Sequence, residues 1–191
     1  KIKKMKKILR YIIAIIFIIS GFVKAVDVKG FSFKLEEYFS SDVFNLPFFE
    51  NYTLEIAVFV VALELILGLT LLMKVKLKTT LIFLIALCVF FAFLTFYSAY
   101  FNKVTDCGCF GDAIKFTPWQ SFWKDMALLF GLLILWILNK KSGTLNNENG
   151  FLKMPFLGIG ILISAFVIYY GIAHEPLIDF RDYKIGTDLN L

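Results

Sequence analysis

Five long apolar runs constrain this chain more than any other feature. A helix that crosses the hydrocarbon core of a bilayer needs roughly 20 mostly apolar residues. Runs of about that length lie at residues 8–26, 54–73, 79–101, 122–138 and 154–173. No internal proline splits them. Pro118 precedes the fourth and Pro155 opens the fifth, where a missing N–H costs little. A water-soluble globule of 191 residues could not bury such runs and still cover its surface. Composition agrees: 23 residues are Phe, 59% are apolar and 18% are charged, against about a quarter charged in a soluble domain. The sequence predicts an all-α membrane protein. It excludes a disordered chain, and no nucleic-acid partner is expected. The basic leader KIKKMKK gives the first run the look of a signal peptide. However, Phe22, Lys24 and Asp27 form no small-x-small cleavage site and four further spans follow, so the run is read as retained.

Cationic residues set the expected orientation, because Lys and Arg accumulate in cytoplasmic connections. The leader and Arg10 supply six, the turn 74–78 three, and Lys140, Lys141 and Lys153 three more. These twelve share their side with one acid, Glu148, whereas the other eight cations share theirs with twelve acids. The N-terminus is therefore expected in the cytoplasm, with 27–53, 102–120 and 174–191 facing outward. The basic pI of 9.0 follows from this arrangement.

Local signals fill in the elements. The short turn KVKLK pairs the second and third spans as antiparallel helices. Thr117-Pro-Trp-Gln120 reads as a capping box with proline at the first helical position. Trp119, Trp123, Tyr97 and Tyr100 form an expected aromatic belt at the outer interface. Phe31, Leu35, Tyr38 and Phe39 recur at helical spacing in 31–49, which predicts a short amphipathic helix lying on the outer leaflet.

Chemistry concentrates in the loop between spans three and four, Asp106-Cys107-Gly108-Cys109-Phe110-Gly111-Asp112. Two cysteines one residue apart sit on the side expected to be oxidising, where exposed thiols pair. A Cys-Gly-Cys disulfide closes a very small, strained ring, suited to exchange. Disulfide stabilisation grows with loop length, so so short a loop gains little as a staple. Three readings stand open: an exchange-active pair, a passive loop closure, and a metal site from Asp106, Cys107, Cys109 and Asp112. Adjacent ligands without histidine serve a tetrahedral metal poorly, and no metal is expected. Lys103, Lys115 and Lys124 flank the pair and would favour thiolate, while Asp106 and Asp112 oppose them.

DCGCFGD, followed by a TxWQxFWK helix start, resembles the DoxX/MauE group of bacterial membrane proteins. SGFVKAVD at the end of span one and ALELILG in span two extend the resemblance, and the tail PLIDFRDYKIG resembles its Bacteroidetes branch. The resemblance implies a DoxX-like bundle of four transmembrane helices over 1–140, with a fifth transmembrane helix at 154–173. Between them lies a cytoplasmic linker at 141–153, and a periplasmic tail at 174–191 reads as the stub of a longer exported region or as a segment packed on a partner. It also implies thiol redox at the outer face of the bacterial inner membrane, since MauE is implicated with a thioredoxin-like partner in disulfide formation in an exported subunit. In plan the bundle is similar to DsbB and vitamin K epoxide reductase, although it lacks their membrane-proximal CxxC. The expected function is a thiol–disulfide redox component in which Cys107 and Cys109 act on an exported thioredoxin-like protein. The alternative is a non-catalytic accessory subunit of a larger envelope complex.

Polar residues inside the spans complete the candidate list. Glu64 lies near mid-span, where an ionised acid is costly and functional by default. It reads as a proton relay or quinone contact, or as a structural hydrogen bond. Gly68, one turn on, admits a close neighbour. Lys24 matches the group's SGxxK pattern and would hold an anion or a thiolate, unless it simply snorkels to the head groups. Cys88, mid-span, reads as a small core residue, and His174 as a helix-end residue. With no second cysteine pair to carry electrons across the membrane, the route out calls for a membrane-soluble acceptor such as a quinone, or for a separate protein.

Overall fold

A computed structural model of the chain describes residues 2–41, 43–101, 117–141, 143 and 153–174. All regular structure among them is helical: α1 (Ile2–Val26), α2 (Val28–Phe39), α3 (Pro47–Glu50), α4 (Thr53–Met73), α5 (Leu77–Phe101), α6 (Pro118–Lys141) and α7 (Met154–Ala173). Five of these, all but α2 and α3, are long and apolar enough to span a membrane. The five expected runs are thus five helices, each at least as long as its run. α1 reaches back through the lysine leader and α6 forward to Lys141, because Lys is a good helix former even where it ends an apolar run.

The helix ends follow the signals in the sequence. At the start of α6 the Gln120 amide donates to Thr117 Oγ1 (3.4 Å) and the Thr117 amide to Gln120 Oε1 (3.1 Å), the reciprocal bonds of a capping box. α4 stops at Lys74, which adopts a left-handed conformation (φ 59°). There the amides of Lys74 and Val75 donate back to the carbonyls of Leu71 and Thr70, closing the last turn.

The most extensive packing joins α1 to α4 and α5 to α6. α1 and α4 run antiparallel and nearly touch at Gly68: a Cβ there would lie 2.9 Å from Ile18 Cγ1 and 3.3 Å from its backbone nitrogen. α7 lies across α1 and α4. Its Gly171 admits the end of α1, since a Cβ would meet the Ala25 and Val26 carbonyl oxygens at 2.8 and 2.9 Å. Ile13, Phe17, Val61, Leu65, Leu84 and Leu132 build one continuous interior. Outward, Phe59, Phe83, Phe130, Phe156, Leu162 and Phe166 are exposed on the flanks of the long helices, apolar surface that suits lipid and not water.

The amphipathic helix expected in the outer connection exists as α2, but it does not merely rest on a leaflet. Phe31, Leu35 and Tyr38 are buried against the protein, and α2 packs on α4 and α7. The apolar face that would have entered lipid has found a protein groove instead. Phe44 then stacks on Tyr38 and Phe93, and the Tyr97 hydroxyl donates to the Val43 carbonyl (3.1 Å), tying this region to α5. Of the expected belt, Tyr100, Trp119 and Trp123 are exposed, while Tyr97 is half-buried by that bond.

Candidate functional site

Cys107 and Cys109, with the whole DCGCFGD loop, lie outside the described residues. The chemistry that the structure does describe is inside the bundle. There, four helices each bring a polar or charged side chain to one small cavity: Ser20 and Lys24 from α1, Glu64 from α4, Cys88 from α5, and Lys124 and Asp125 from α6. Phe17, Phe91 and Leu128 close the walls. The cavity measures about 10 Å³, close to the lower limit for holding one water.

Lys24 and Glu64, two of the residues singled out in the sequence, are ion-paired. Lys24 Nζ stands 2.9 Å from Glu64 Oε2 and 3.3 Å from Oε1, and donates to Ser20 Oγ at 2.8 Å. The two side chains are 1% and 2% exposed. All three ammonium protons have an acceptor, and the Phe91 and Phe31 rings lie 5.1 and 5.8 Å away.

The snorkelling expected of Lys24 is therefore not what the chain does, for a geometric reason. Side chains on a helix lean toward its N-terminus. Lys24 sits two residues from the C-terminal end of α1, so its long side chain runs back into the bundle, toward Ser20 one turn earlier. Glu64 leans the opposite way on antiparallel α4, and the two meet. Gly21 keeps the helices close at this level, where a Cβ would lie 3.4 Å from Glu64 Cγ.

Asp125 is the residue that sequence reasoning missed. It is 3% exposed and lies seven residues inside α6. Lys124 Nζ is 3.1 Å from its Oδ1. Thr95 Oγ1 is 3.4 Å from its Oδ2, but the same hydroxyl is 2.9 Å from the Phe91 carbonyl and 3.2 Å from that of Ala92. One hydroxyl proton serves three acceptors, so the bond to Oδ2 is shared. The signal was available. Ser121, Asp125, Leu132, Leu135 and Asn139 recur on the buried stripe of α6. Starting the span at 122 placed Asp125 at its rim, whereas the capping box at 117–120 places it two turns inside. Lys124, weighed in the sequence as a neighbour of the cysteine loop, turns its ammonium to Asp125.

The remaining candidates fall where expected. Cys88 is buried, and it lines the cavity as well as the core. His174 stacks on Tyr170 at the end of α7, with ring centroids 4.5 Å apart.

Chemically the site is a balanced set of two cations and two carboxylates in a low-dielectric interior. Such charges are tolerated only when paired and hydrogen-bonded. It suits proton storage and transfer. The enclosed space itself, about 10 Å³, is of the size of a single water and not of a ring.

Comparison with known proteins bears on the same helices. The family model described as methylamine utilisation protein MauE matches residues 2–138, which takes in α1 to α5 and nearly all of α6. A curated relative, Protein TlpB of Flavobacterium psychrophilum, is 27% identical over 165 residues. That alignment covers 84% of this chain and 43% of the relative, so the chain spans less than half of that protein's length. No solved structure matches. The family match runs through all four helices that supply the cavity, and on that ground the chain belongs to the MauE family of membrane proteins.

Proposed function

We propose that the protein is a thiol–disulfide redox component of the bacterial inner membrane. It acts through Cys107 and Cys109 on the periplasmic side, with an exported thioredoxin-like protein as partner. The observation that carries this reading is the one-residue spacing of the two cysteines, in a loop on the acid-rich side of the chain. Membership of the MauE family supports it. So does the position of the loop, which joins α5 to α6, the two helices that bring Cys88, Lys124 and Asp125 to the buried site.

In the exchange step a partner thiolate attacks one sulfur of the Cys107–Cys109 disulfide and forms a mixed disulfide. The partner's second thiol then resolves it. The partner leaves oxidised, and Cys107 and Cys109 have gained two electrons and two protons. Re-oxidation passes both to an acceptor of the quinone class. Lys24 and Glu64 serve the proton side of that chemistry within the four-helix core, and α7 forms a separate fifth span.

The test is made in cells carrying C107S or C109S. Each single variant is expected to trap a reductant-sensitive adduct with an exported thiol protein, and the disulfide state of exported proteins is expected to shift. Unchanged exported thiols and no adduct in either strain would overturn the reading. The accessory-subunit role would then stand, in which the cysteines only close a loop.

A further inference from the structure

Two features of the buried site call for an occupant. Cys88 is buried, lines the cavity, and makes no hydrogen bond with the described residues. Asp125 Oδ2 has only a shared hydroxyl, at 3.4 Å. Both border a space close to the smallest that holds a water. Further along α4 from Glu64 come Leu67, Gly68 and Leu71, all buried, so that direction is sealed by apolar packing. On the other side, Lys124 is 23% exposed and holds Asp125 from the edge of the bundle. It lies six residues into α6, about 9 Å from the helix start at 1.5 Å per residue.

We propose that this cavity binds one water and works as a one-sided proton-exchange site, with Asp125 as the entry acid and Glu64 as the inner acid. A proton on the Asp125 carboxyl passes to the water, which gives one of its own to Glu64. Asp125 is left as a carboxylate beside Lys124 and Glu64 as an acid beside Lys24. One proton has moved and no electrons. The groups facing the water are Lys24 from α1, Glu64 from α4, Cys88 from α5, and Lys124 and Asp125 from α6. The Cys88 thiol exchanges its own proton with the same water and therefore reports on the path. This assignment does not rest on Cys107 and Cys109 being redox-active.

The experiment uses the full chain carrying C107S and C109S, reconstituted in lipid vesicles. Cys88 is then the sole thiol, since the chain has three cysteines. Infrared spectroscopy follows its S–H band turning to S–D after transfer to heavy water. The parent is expected to exchange readily and D125N to slow that exchange roughly tenfold or more, as loss of an acid–base group does. Access of a maleimide to Cys88 is measured in parallel. A misfolded variant would exchange faster and become alkylated, so a slower rate with Cys88 still protected arises only from a cut path. Equal rates in parent and D125N, or a parent thiol that stays protonated for hours, would overturn the proposal. Neither result touches the redox reading, because the redox pair is absent from the protein tested.

Discussion

At the scale of single residues, the buried pairing of Lys24 with Glu64 is expected to bear on both stability and use. Removing one member of a buried ion pair leaves an uncompensated charge and costs about 3–5 kcal/mol, whereas replacing both by apolar groups of similar volume is often neutral or stabilising. K24M and E64Q are therefore each expected to lower the unfolding midpoint in mixed micelles sharply. K24M/E64M is expected to restore it to the parent value or above, because Ser20 can turn to another acceptor and the methionines can fill the space. The double variant is also expected to lose exported-thiol oxidation while remaining folded. Single variants as stable as the parent would show that the pair is solvated in practice. A fully active double variant would show that the charges serve packing alone. The Lys124–Asp125 pair is expected to contribute less to stability, since its lysine is 23% exposed at the edge of the bundle.

At the scale of elements, close approach of backbones at a few glycines adds to the packing of the large apolar side chains. α7 shows this at Gly171, where any Cβ must push against two carbonyl oxygens of α1 and no flexible side chain can give way. G171A is expected to destabilise the protein by about 1–3 kcal/mol, as overpacking does. It should also make α7 more sensitive to limited proteolysis in the connection before it. Gly158, in the same helix, has nothing within 4 Å of its Cβ position, and G158A is expected to leave both readouts unchanged. Equal behaviour of the two variants would show that α7 is not seated on α1. The same packing explains what the sequence made legible. Long apolar runs, the 117–120 capping box and the KVKLK turn are local signals, and each appears at its place. The burial of α2 and the meeting of Lys24 with Glu64 are not local. They depend on where α4 and α7 lie, 40 residues or more away in the case of the ion pair. Asp125 was in between: its helical stripe is local, but its depth depended on placing the helix start correctly.

At the scale of the whole molecule, charge sets the expected orientation, and the proposed redox role depends on it. The lysine-rich leader, the 74–78 turn and the last turn of α6, with Lys140 and Lys141, lie on one side by the alternation of α1, α4, α5 and α6. Lys6 Nζ donates to the Leu138 carbonyl, and Lys153 Nζ donates to the Met73 carbonyl at 2.8 Å, so the cationic ends of α1, α4, α6 and α7 gather at one end of the bundle. Cations near helix C-termini also offset the negative end of the helix dipole, which favours this gathering for α4 and α6. Translocating that end would mean carrying a dozen Lys and Arg across hydrocarbon, at roughly 2.5–3.5 kcal/mol for each charge placed at a helix centre. The opposite end, with the loop bearing Cys107 and Cys109, is therefore expected in the periplasm. In spheroplasts of a strain whose chain carries C88A and C107S, treated with a reductant and washed to release any adduct, a membrane-impermeant maleimide is expected to label Cys109 without permeabilisation. In a chain with all three native cysteines removed and K78C introduced, labelling is expected only after the membrane is opened. The reverse pattern would put the cysteine pair in the reducing cytoplasm, where a strained one-residue disulfide would not persist, and the periplasmic redox role would fail with it.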